Sequence, residues 1–369
     1  MLKRFEVSNF RGFNDPLIMD FSRIRNYDFN TLCVRNGLIN KALVFGKNGT
    51  GKSNLGLALF DITLHLTDMT KDSKLVSPLG YINLDSGKDC AYFRYDFVFD
   101  GEEIVYSYKK RSPFDLVEER LDINGEHKIN VNYSDLSKIM VDLDGIKDLD
   151  FTKIKDNHIS IIKYIYANSP ANANKYITKM MDFVKGMLWF CSLNEGNKYS
   201  GFTVGVESLD MPIIKNDKVK ELSSFLKKNN VDLDLIVKEE MGQKRIYAKF
   251  KYGALPLSYL ASSGTSALWL FFYWKLRFEA VTFLFMDEFD AFYHYETAEL
   301  VEELVKQNEK IQAIMTTHNT SLMNNQVTRP DCCFLLSGGE IKSLIDCTDK
   351  EIREGHNLEK MYHNGAFNE

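Results

Sequence analysis

The sequence predicts an α/β fold: a mixed, largely parallel core sheet, an antiparallel β-layer beside it, and a helical insert. Three observations predict it. A short apolar run at 41–45 leads into the glycine-rich stretch 46–53 and then into a helical pattern at 54–64. Late in the chain, 281–288 and 311–319 each hold an apolar run of the kind that strands covered on both faces require, with a helical pattern between them. In between, 89–99 and 103–109 alternate polar and apolar residues across Asp100-Gly101, which is the pattern of a hairpin.

The first observation carries chemistry. Gly46-Lys47-Asn48-Gly49-Thr50-Gly51-Lys52-Ser53 fits G-x-x-x-x-G-K-[ST] between a strand and a helix. The glycines let the backbone turn tightly, so the N–H groups of the loop and of the helix start, through Asn54, can point at phosphate oxygens. In such a loop the lysine, here Lys52, reaches the β- and γ-phosphates, and the hydroxyl of Ser53 ligates Mg²⁺. A nucleotide such as ATP with Mg²⁺ is therefore the expected ligand.

Composition sets the outer limits. The 369 residues are 44% hydrophobic and 26% charged, a globular balance. The net charge of −5 gives no overall signal for nucleic acid, although a local basic surface stays open. Six cysteines include no C-x-x-C pair, so neither a zinc site nor a disulfide framework is expected. A reducing, cytoplasmic setting follows as the expectation. The N-terminus lacks an apolar signal core, and the most apolar run, 267–274, is too short to span a bilayer. That run reads as a buried helix, and no membrane role is expected.

Taken in order, 3–10 alternates as a half-buried strand does, and Arg11-Gly12 reads as a turn. Strands are expected at 16–21 and 32–35, ahead of the phosphate loop. A further strand at 114–123, closed by Asn124-Gly125, extends the hairpin into an antiparallel layer over about 90–132. Helices are expected at 159–167, 174–190 and 218–228, with a loop at 194–205 and paired strands at 235–239 and 245–250 across Gly242. This divides the chain into an N-terminal lobe (1–133), a mainly helical insert (134–235) and a C-terminal lobe (236–369).

The C-terminal lobe holds the second half of the chemistry. The strand 281–288 ends in Asp287 and Glu288, at the strand end where α/β sheets carry their sites. Asp287 suits the Mg²⁺ shell, and Glu288 suits the water that attacks a γ-phosphate. Upstream, Ser262, Ser263 and Gly264 open the apolar helix, where free N–H groups and hydroxyls suit a phosphate but also make an ordinary cap. The strand 311–319 reaches His318, which can contact the γ-phosphate or orient the water. Gly264 lies 23 residues before Asp287, and His318 lies 30 after Glu288, each interval being one helix and one strand. Four modest signals thus fall into one βαβ frame.

These residues resemble the ABC-type ATPase heads of the SMC, RecF and OLD clade, nearest to the stand-alone bacterial AAA/OLD-like ATPases. Asn9-Phe10-Arg11-Gly12-Phe13 resembles the clade's opening motif, and 46–53 resembles its phosphate loop. Ser262-Ser263-Gly264-Thr265 is similar to a variant signature, Met286 to Asp290 to Walker B with its D-loop, and Thr317-His318-Asn319 to the switch motif. His294 falls where a further family motif sits, without its proline, and no glutamine lies between the phosphate loop and the hairpin. The resemblance implies the P-loop NTPase fold of an ABC-type head and ATP hydrolysis by Glu288, with Lys52 and His318 assisting. It implies a homodimer that sandwiches ATP, open to higher assembly, each site using one chain's phosphate loop and the other's Ser262–Gly264 segment. Arg11 is expected near the nucleotide. With no coiled coil or nuclease residues in view, the resemblance implies a sensor or regulator of a separate effector, a toxin or nuclease, in anti-phage defence. The alternative is a RecF-like repair ATPase that clamps DNA, with Lys109, Lys110 and Arg111 as candidate contacts. A nucleotide-gated scaffold without turnover is the third reading, against which Asp287 and Glu288 stand.

Overall fold

The structure, a computed structural model, describes all residues except 69–75, 136–138, 145, 147–148, 150, 152–153, 155–158, 171–173, 192–197, 202–208, 241, 292–294 and 368–369. His294 thus lies outside the described residues, as does most of the loop expected at 194–205.

The chain begins with β1 (Leu2–Ser8) and β2 (Leu17–Asp20). A short pair, β3 (Val34–Arg35) and β4 (Leu38–Ile39), precedes β5 (Lys41–Phe45) and helix α1 (Lys52–Leu66). Next come β6 (Ala91–Phe99), β7 (Glu102–Ser112), β8 (Asp115–Ile123), β9 (Glu126–Asn132) and β10 (Met140–Val141). Helices α2 (Ile161–Asn168) and α3 (Lys175–Lys185) lead to β11 (Met187–Cys191) and β12 (Lys198–Gly201). Helices α4 (Asp210–Lys215) and α5 (Val219–Lys228) are followed by β13 (Leu235–Glu240), β14 (Gln243–Phe250) and β15 (Gly253–Pro256). The last stretch runs α6 (Leu257–Leu260), α7 (Ser263–Lys275), β16 (Phe283–Asp287), α8 (Tyr295–Lys306), β17 (Gln312–Thr317), β18 (Cys333–Ser337), β19 (Glu340–Ser343) and α9 (Leu358–His363).

Two seven-stranded sheets organise these elements. The antiparallel layer has the order β10-β9-β8-β7-β6-β1-β2. Its tight turns are Asp100-Gly101 (φ 53° and 82°) and Asn124-Gly125 (φ 51° and 82°). Positive φ at both positions is what the twist of a two-residue hairpin needs, and Asp-Gly and Asn-Gly supply it at least strain. The core sheet has the order β12-β11-β16-β17-β5-β18-β19. Its five central strands are parallel, and each edge strand runs antiparallel. Helix α1 lies between the sheets. Tyr95 of the layer donates to Ala58 O at 2.9 Å, and a Cβ at Gly56 would stand 2.5 Å from the Phe285 ring of β16. Only glycine permits that approach. Ala267–Trp274, the most apolar run, is buried in α7 as expected.

The structure corrects three local expectations. The helix expected over 174–190 stops at Lys185, and 187–191 is a strand of the core sheet, paired with β16. Gly186 explains the break: a Cβ there would meet Thr282 Oγ1 at 2.6 Å and Ala280 O at 2.9 Å. The chain must pass close to the approach to β16 and continue extended beside it. At 32–35 only Val34–Arg35 is extended, since Thr31–Cys33 forms a 3₁₀ turn. Within the expected loop, Lys198–Gly201 forms edge strand β12.

A buried polar seam ties α1 to the layer. Asp61 accepts from Lys110 Nζ (2.7 Å), Tyr108 OH (3.0 Å) and Tyr81 OH (2.8 Å). Further along, His65 Nε2 meets Tyr106 OH at 2.7 Å, and Tyr106 OH donates to Glu119 at 2.6 Å. Glu119 also accepts from Ser160 Oγ and from the backbone N–H of Ile161 at the start of α2. Burial pushes the Glu119 carboxyl up, while these donors hold it down. This seam takes Lys110 out of the suggested basic surface, while Lys109 and Arg111 stay exposed beside carboxylates. Lys110 is fully buried on Asp61, Lys109 pairs with Glu118, and Arg111 lies between Asp89 and Asp115.

Candidate active site

Strand β5 delivers the phosphate loop to the C-terminal edge of the core sheet. Its neighbours on the two sides are β17 and β18. The loop turns at Gly49 (φ 83°) and Gly51 (φ 105°), and Gly51 caps α1 in the left-handed region. A Cβ at Gly46 would stand 2.6 Å from Thr50 Oγ1 and 2.8 Å from Leu336 O, so the first glycine is set by close packing. Thr50 closes the loop by donating through Oγ1 to Lys47 O (2.9 Å). Lys47, Asn48 and Gly49 are exposed at its tip. Lys52 is buried, and its ammonium donates to Gly46 O (2.7 Å) and Lys47 O (3.2 Å), filling the inside of the loop.

The N-terminal turn covers one side of this loop. A Cβ on Gly51 would lie 3.1 Å from the Phe13 ring, and one on Gly12 would lie 3.3 Å from Asn54 Nδ2. Arg11, just before Gly12 and at φ 49°, is pinned by its N–H to Tyr81 O (3.0 Å) and by Asn83 donating to its carbonyl (2.7 Å). Arg11 and Asn54 thus belong to the loop's surroundings.

Strand β16 brings the carboxylates to the same edge. Ser53 Oγ donates to Asp287 Oδ2 at 2.7 Å, although the two are 234 residues apart in sequence. Lys52 Nζ stands 3.7 Å from Glu288 Oε1. Between β16 and β17, Thr316 binds both carboxylate residues. Its Oγ1 donates to Asp287 Oδ1 (2.9 Å) and accepts from Glu288 N (2.8 Å). Sequence reasoning missed Thr316, a fully buried hydroxyl inside an apolar strand; the only signal was a polar residue at a strand position that burial should make apolar. Glu288 adopts φ 45°, a left-handed conformation that costs a non-glycine residue roughly 1–3 kcal/mol. Phe289 N–H to Thr316 O (3.2 Å) helps hold that kink, which turns Glu288 away from the strand direction.

The register of β17 on β5 sets Thr317 opposite Phe45, so His318 follows at the level of Gly46. His318 is exposed, and among the described residues it forms no hydrogen bond or ion pair. Ser262, Ser263 and Gly264 start α7. Ser262 Oγ accepts from Thr265 N (3.2 Å) and meets Thr265 Oγ1 at 3.0 Å, which is an ordinary cap. Ser262 and Ser263 are exposed, and no hydrogen bond described joins Ser262 or Gly264 to the phosphate loop. Within one chain, then, the phosphate loop, Asp287, Glu288 and the β17 end converge.

The residues fit a magnesium nucleotide. A hydroxyl and a buried carboxylate, both hard oxygen donors, already lie within hydrogen-bond reach of each other, as a shared small cation requires. Among the described residues no group of three or more His, Cys, Asp or Glu could hold a metal, so any cation at Ser53 and Asp287 would need oxygens from elsewhere, as from phosphate. Among the described residues, no helix is long and apolar enough to cross a membrane.

Comparison with known proteins adds one family match. The family described as "AAA domain, putative AbiEii toxin, Type IV TA system" matches residues 202–324, about a third of the chain. That stretch holds Ser262–Gly264, Asp287, Glu288 and His318. No curated protein matches the chain. Among solved structures, an SMC head domain from Thermotoga maritima is similar at 18% identity and TM-score 0.44, over 93% of this chain and 98% of that one. An Smc head bound to the C-winged helix domain of ScpA is similar at 16% identity and TM-score 0.47, over 94% and 98%. An Smc head with an extended coiled coil, bound to the C-terminal domain of ScpA derived from Pyrococcus furiosus, is similar at 16% and 0.41, over 92% and 95%. At these values the likenesses carry no residue-level correspondence. Glycine loop, parallel core sheet and AAA-domain match together define a P-loop NTPase fold.

Proposed function

We propose that this chain is an ATP-hydrolysing subunit that acts as sensor or regulator of a separate effector. The observation that carries the ATPase reading is the meeting of Ser53 with Asp287 and of Lys52 with Glu288, residues from opposite ends of the chain. In this reading the N–H groups of Lys47 to Asn54 bind the phosphates, with Arg11 and Gly46 shaping the loop's flanks. Lys52 leaves the carbonyls of Gly46 and Lys47 and turns to phosphate oxygen. Ser53 and Asp287 hold Mg²⁺, which neutralises charge developing on the phosphates when bound. Glu288 orients and deprotonates the attacking water, and its backbone kink at φ 45° sets that direction. His318 contacts the γ-phosphate from the end of β17.

The exposure of Ser262 and Ser263 at the start of α7 supports a composite site, completed by a second copy of the chain. ATP then closes a head-to-head dimer and hydrolysis opens it. The matched family's description names a toxin and a toxin–antitoxin system. This supports a chain that works beside a partner, and we place the process in cytoplasmic anti-phage defence. The chain divides accordingly into a loop-bearing lobe (1–133), an insert (134–235) and a signature lobe (236–369).

The test is phosphate release together with mass photometry of wild type and Glu288→Gln, with and without Mg-ATP. Loss of turnover with gain of an ATP-dependent dimer in the variant is the expected result. Turnover by a chain that stays monomeric removes the composite site, and undiminished turnover in Glu288→Gln removes the assigned base.

A further inference from the structure

We propose that Thr316 is a positioning residue: its one hydroxyl fixes the direction of Glu288 and the rotation of the Asp287 carboxylate together, so that the base and the cation ligand are set as a unit.

The backbone of Thr316 is referenced to the strand that carries the phosphate loop. Strand β17 lies between β5 and β16 in the core sheet. On one side Thr316 stands opposite Val44 and Thr317 opposite Phe45, the last residue of β5 before the loop. On the other side the ladder with β16 runs to Met286 and Met315, and the next residue of β16 is Asp287. Thr316 is fully buried. Its branched Cβ restricts χ1, so the hydroxyl has one preferred direction.

Three polar groups of the β16 exit end on this residue. Thr316 Oγ1 accepts from Glu288 N (2.8 Å) and donates to Asp287 Oδ1 (2.9 Å), and Thr316 O accepts from Phe289 N (3.2 Å). The sense of these bonds is forced. An amide N–H only donates, so the hydroxyl offers Glu288 a lone pair and has its single proton left for the carboxylate.

Two consequences follow. Glu288 sits at φ 45°, and its own N–H and that of Phe289 are both held by Thr316. A left-handed glutamate persists only where its surroundings impose it. Asp287, 4% exposed, has Oδ1 turned to β17 and Oδ2 turned to Ser53 Oγ (2.7 Å), the two oxygens assigned to Mg²⁺. Valine has nearly the shape of threonine and lacks the hydroxyl. It leaves Glu288 N–H and Asp287 Oδ1 without this partner, so one substitution disturbs both the base and the cation ligand. Hydrogen-bond partners of ligating carboxylates are commonly worth roughly 10–100-fold in metal affinity or activity. The effect on turnover rests on the ATPase reading above, whereas the effect on Mg²⁺ dependence rests on the Ser53 and Asp287 geometry.

Phosphate release and binding of the fluorescent nucleotide mant-ATP, each followed over a Mg²⁺ titration, test the proposal on the full chain as wild type, Thr316→Val and Thr316→Ser. Thr316→Val is expected to lose roughly 10–100-fold in kcat at saturating Mg²⁺, with KM little changed, and to raise the Mg²⁺ midpoint of mant-ATP binding by about tenfold. Metal-free mant-ATP binding should stay near wild type. Thr316→Ser, which keeps the hydroxyl but frees χ1, should recover both quantities to within about threefold of wild type. A valine variant with wild-type kcat and midpoint overturns the proposal. So does a serine variant as impaired as the valine one, because a residue that only fills space gains nothing from a hydroxyl. If Thr316→Val does not fold by circular dichroism, Thr316→Ala takes its place with the same outcomes. Wild type that releases no phosphate refutes the ATPase reading by itself, and the Mg²⁺ midpoint then decides for Thr316: a rise in valine with recovery in serine upholds its hold on Asp287, and no rise overturns it.

Discussion

Replacing Lys110 with methionine isolates the one fully buried ion pair that joins α1 to the β-layer. Side chains of Lys110 and Asp61 are 0% and 2% exposed, 2.7 Å apart. Burial pushes the Lys110 ammonium down, and Asp61 pulls it back up. Methionine keeps most of the volume and removes the charge. Asp61 would keep its two tyrosine donors but lose its counter-ion, and breaking a buried pair from one side costs roughly 3–5 kcal/mol. At roughly 2.1 cal/mol/K of unfolding entropy per residue, a chain of this length unfolds with about 0.8 kcal/mol/K, so each kcal/mol moves Tm by about 1.3 °C. The expected loss in Tm is therefore about 4–6 °C, read by circular dichroism melts at pH 7. The companion Asp61→Leu/Lys110→Met removes both charges and should recover to within about 2 °C of wild type, because a well-packed apolar pair commonly replaces a buried ion pair without loss. A single variant within 1 °C of wild type would show that Asp61 is not an isolated buried charge without Lys110. A double variant no better than the single one would show that packing, not charge, set the cost.

Other expectations follow from the same geometry. Glu288→Gln should cut phosphate release by about 10²–10⁴-fold, as loss of a general base does, while nucleotide binding by fluorescence anisotropy persists. Ser53→Ala should weaken Mg-nucleotide binding yet leave metal-free nucleotide binding near wild type, because only the metal arm of the loop is lost. Gly56→Ala should lower Tm although alanine favours helix by about 1 kcal/mol, since its Cβ would press on the Phe285 and Trp189 rings. Overpacking of that kind costs roughly 1–3 kcal/mol, and a Gly56→Ala protein that melts above wild type refutes the close approach. Burial raises Glu302 to about 8, with Lys306 opposing. A carboxyl raised on folding contributes stability below its unfolded pKa and loses it as pH climbs toward 8. Wild type should therefore lose stability from pH 5 to 8 by a step that Glu302→Gln lacks, as measured by urea midpoints.

The legible parts of this chain were those whose local chemistry admits one backbone. Asp100-Gly101 and Asn124-Gly125 announce two-residue turns, so the antiparallel layer could be read strand by strand. The apolar runs 42–45, 283–286 and 313–315 and the loop 46–53 announced the parallel sheet and its working edge. Less legible was β11, whose apolar residues continue directly from a helix, with only Gly186 to mark the change. Its identity depends on Thr282 and Ala280, which follow Gly186 by 96 and 94 residues. Lys110 was misleading for a different reason. It sits in Lys109-Lys110-Arg111, which reads as a solvated strand end, but the inward alternation of Ile104, Tyr106 and Tyr108 continues unbroken to Lys110 and turns it inward to Asp61. Thr316 gave no more than its polarity as a signal, since a hydroxyl in a buried strand is explained only by the two carboxylate residues it joins across the sheet.

The place of β5 in the core sheet bears on how the protein is made. Its residues leave the ribosome early, yet Lys41 pairs with Ala313 and Leu43 with Cys333. At about 5–20 residues per second, roughly a quarter of a minute to a minute passes before those neighbours are synthesised. Throughout that interval the hairpins of the β-layer can close on themselves, while β5 offers two bare apolar edges. The strand that carries the phosphate loop is thus the part of the nascent chain most exposed to wrong pairing, and nucleotide cannot stabilise it until the final third has emerged.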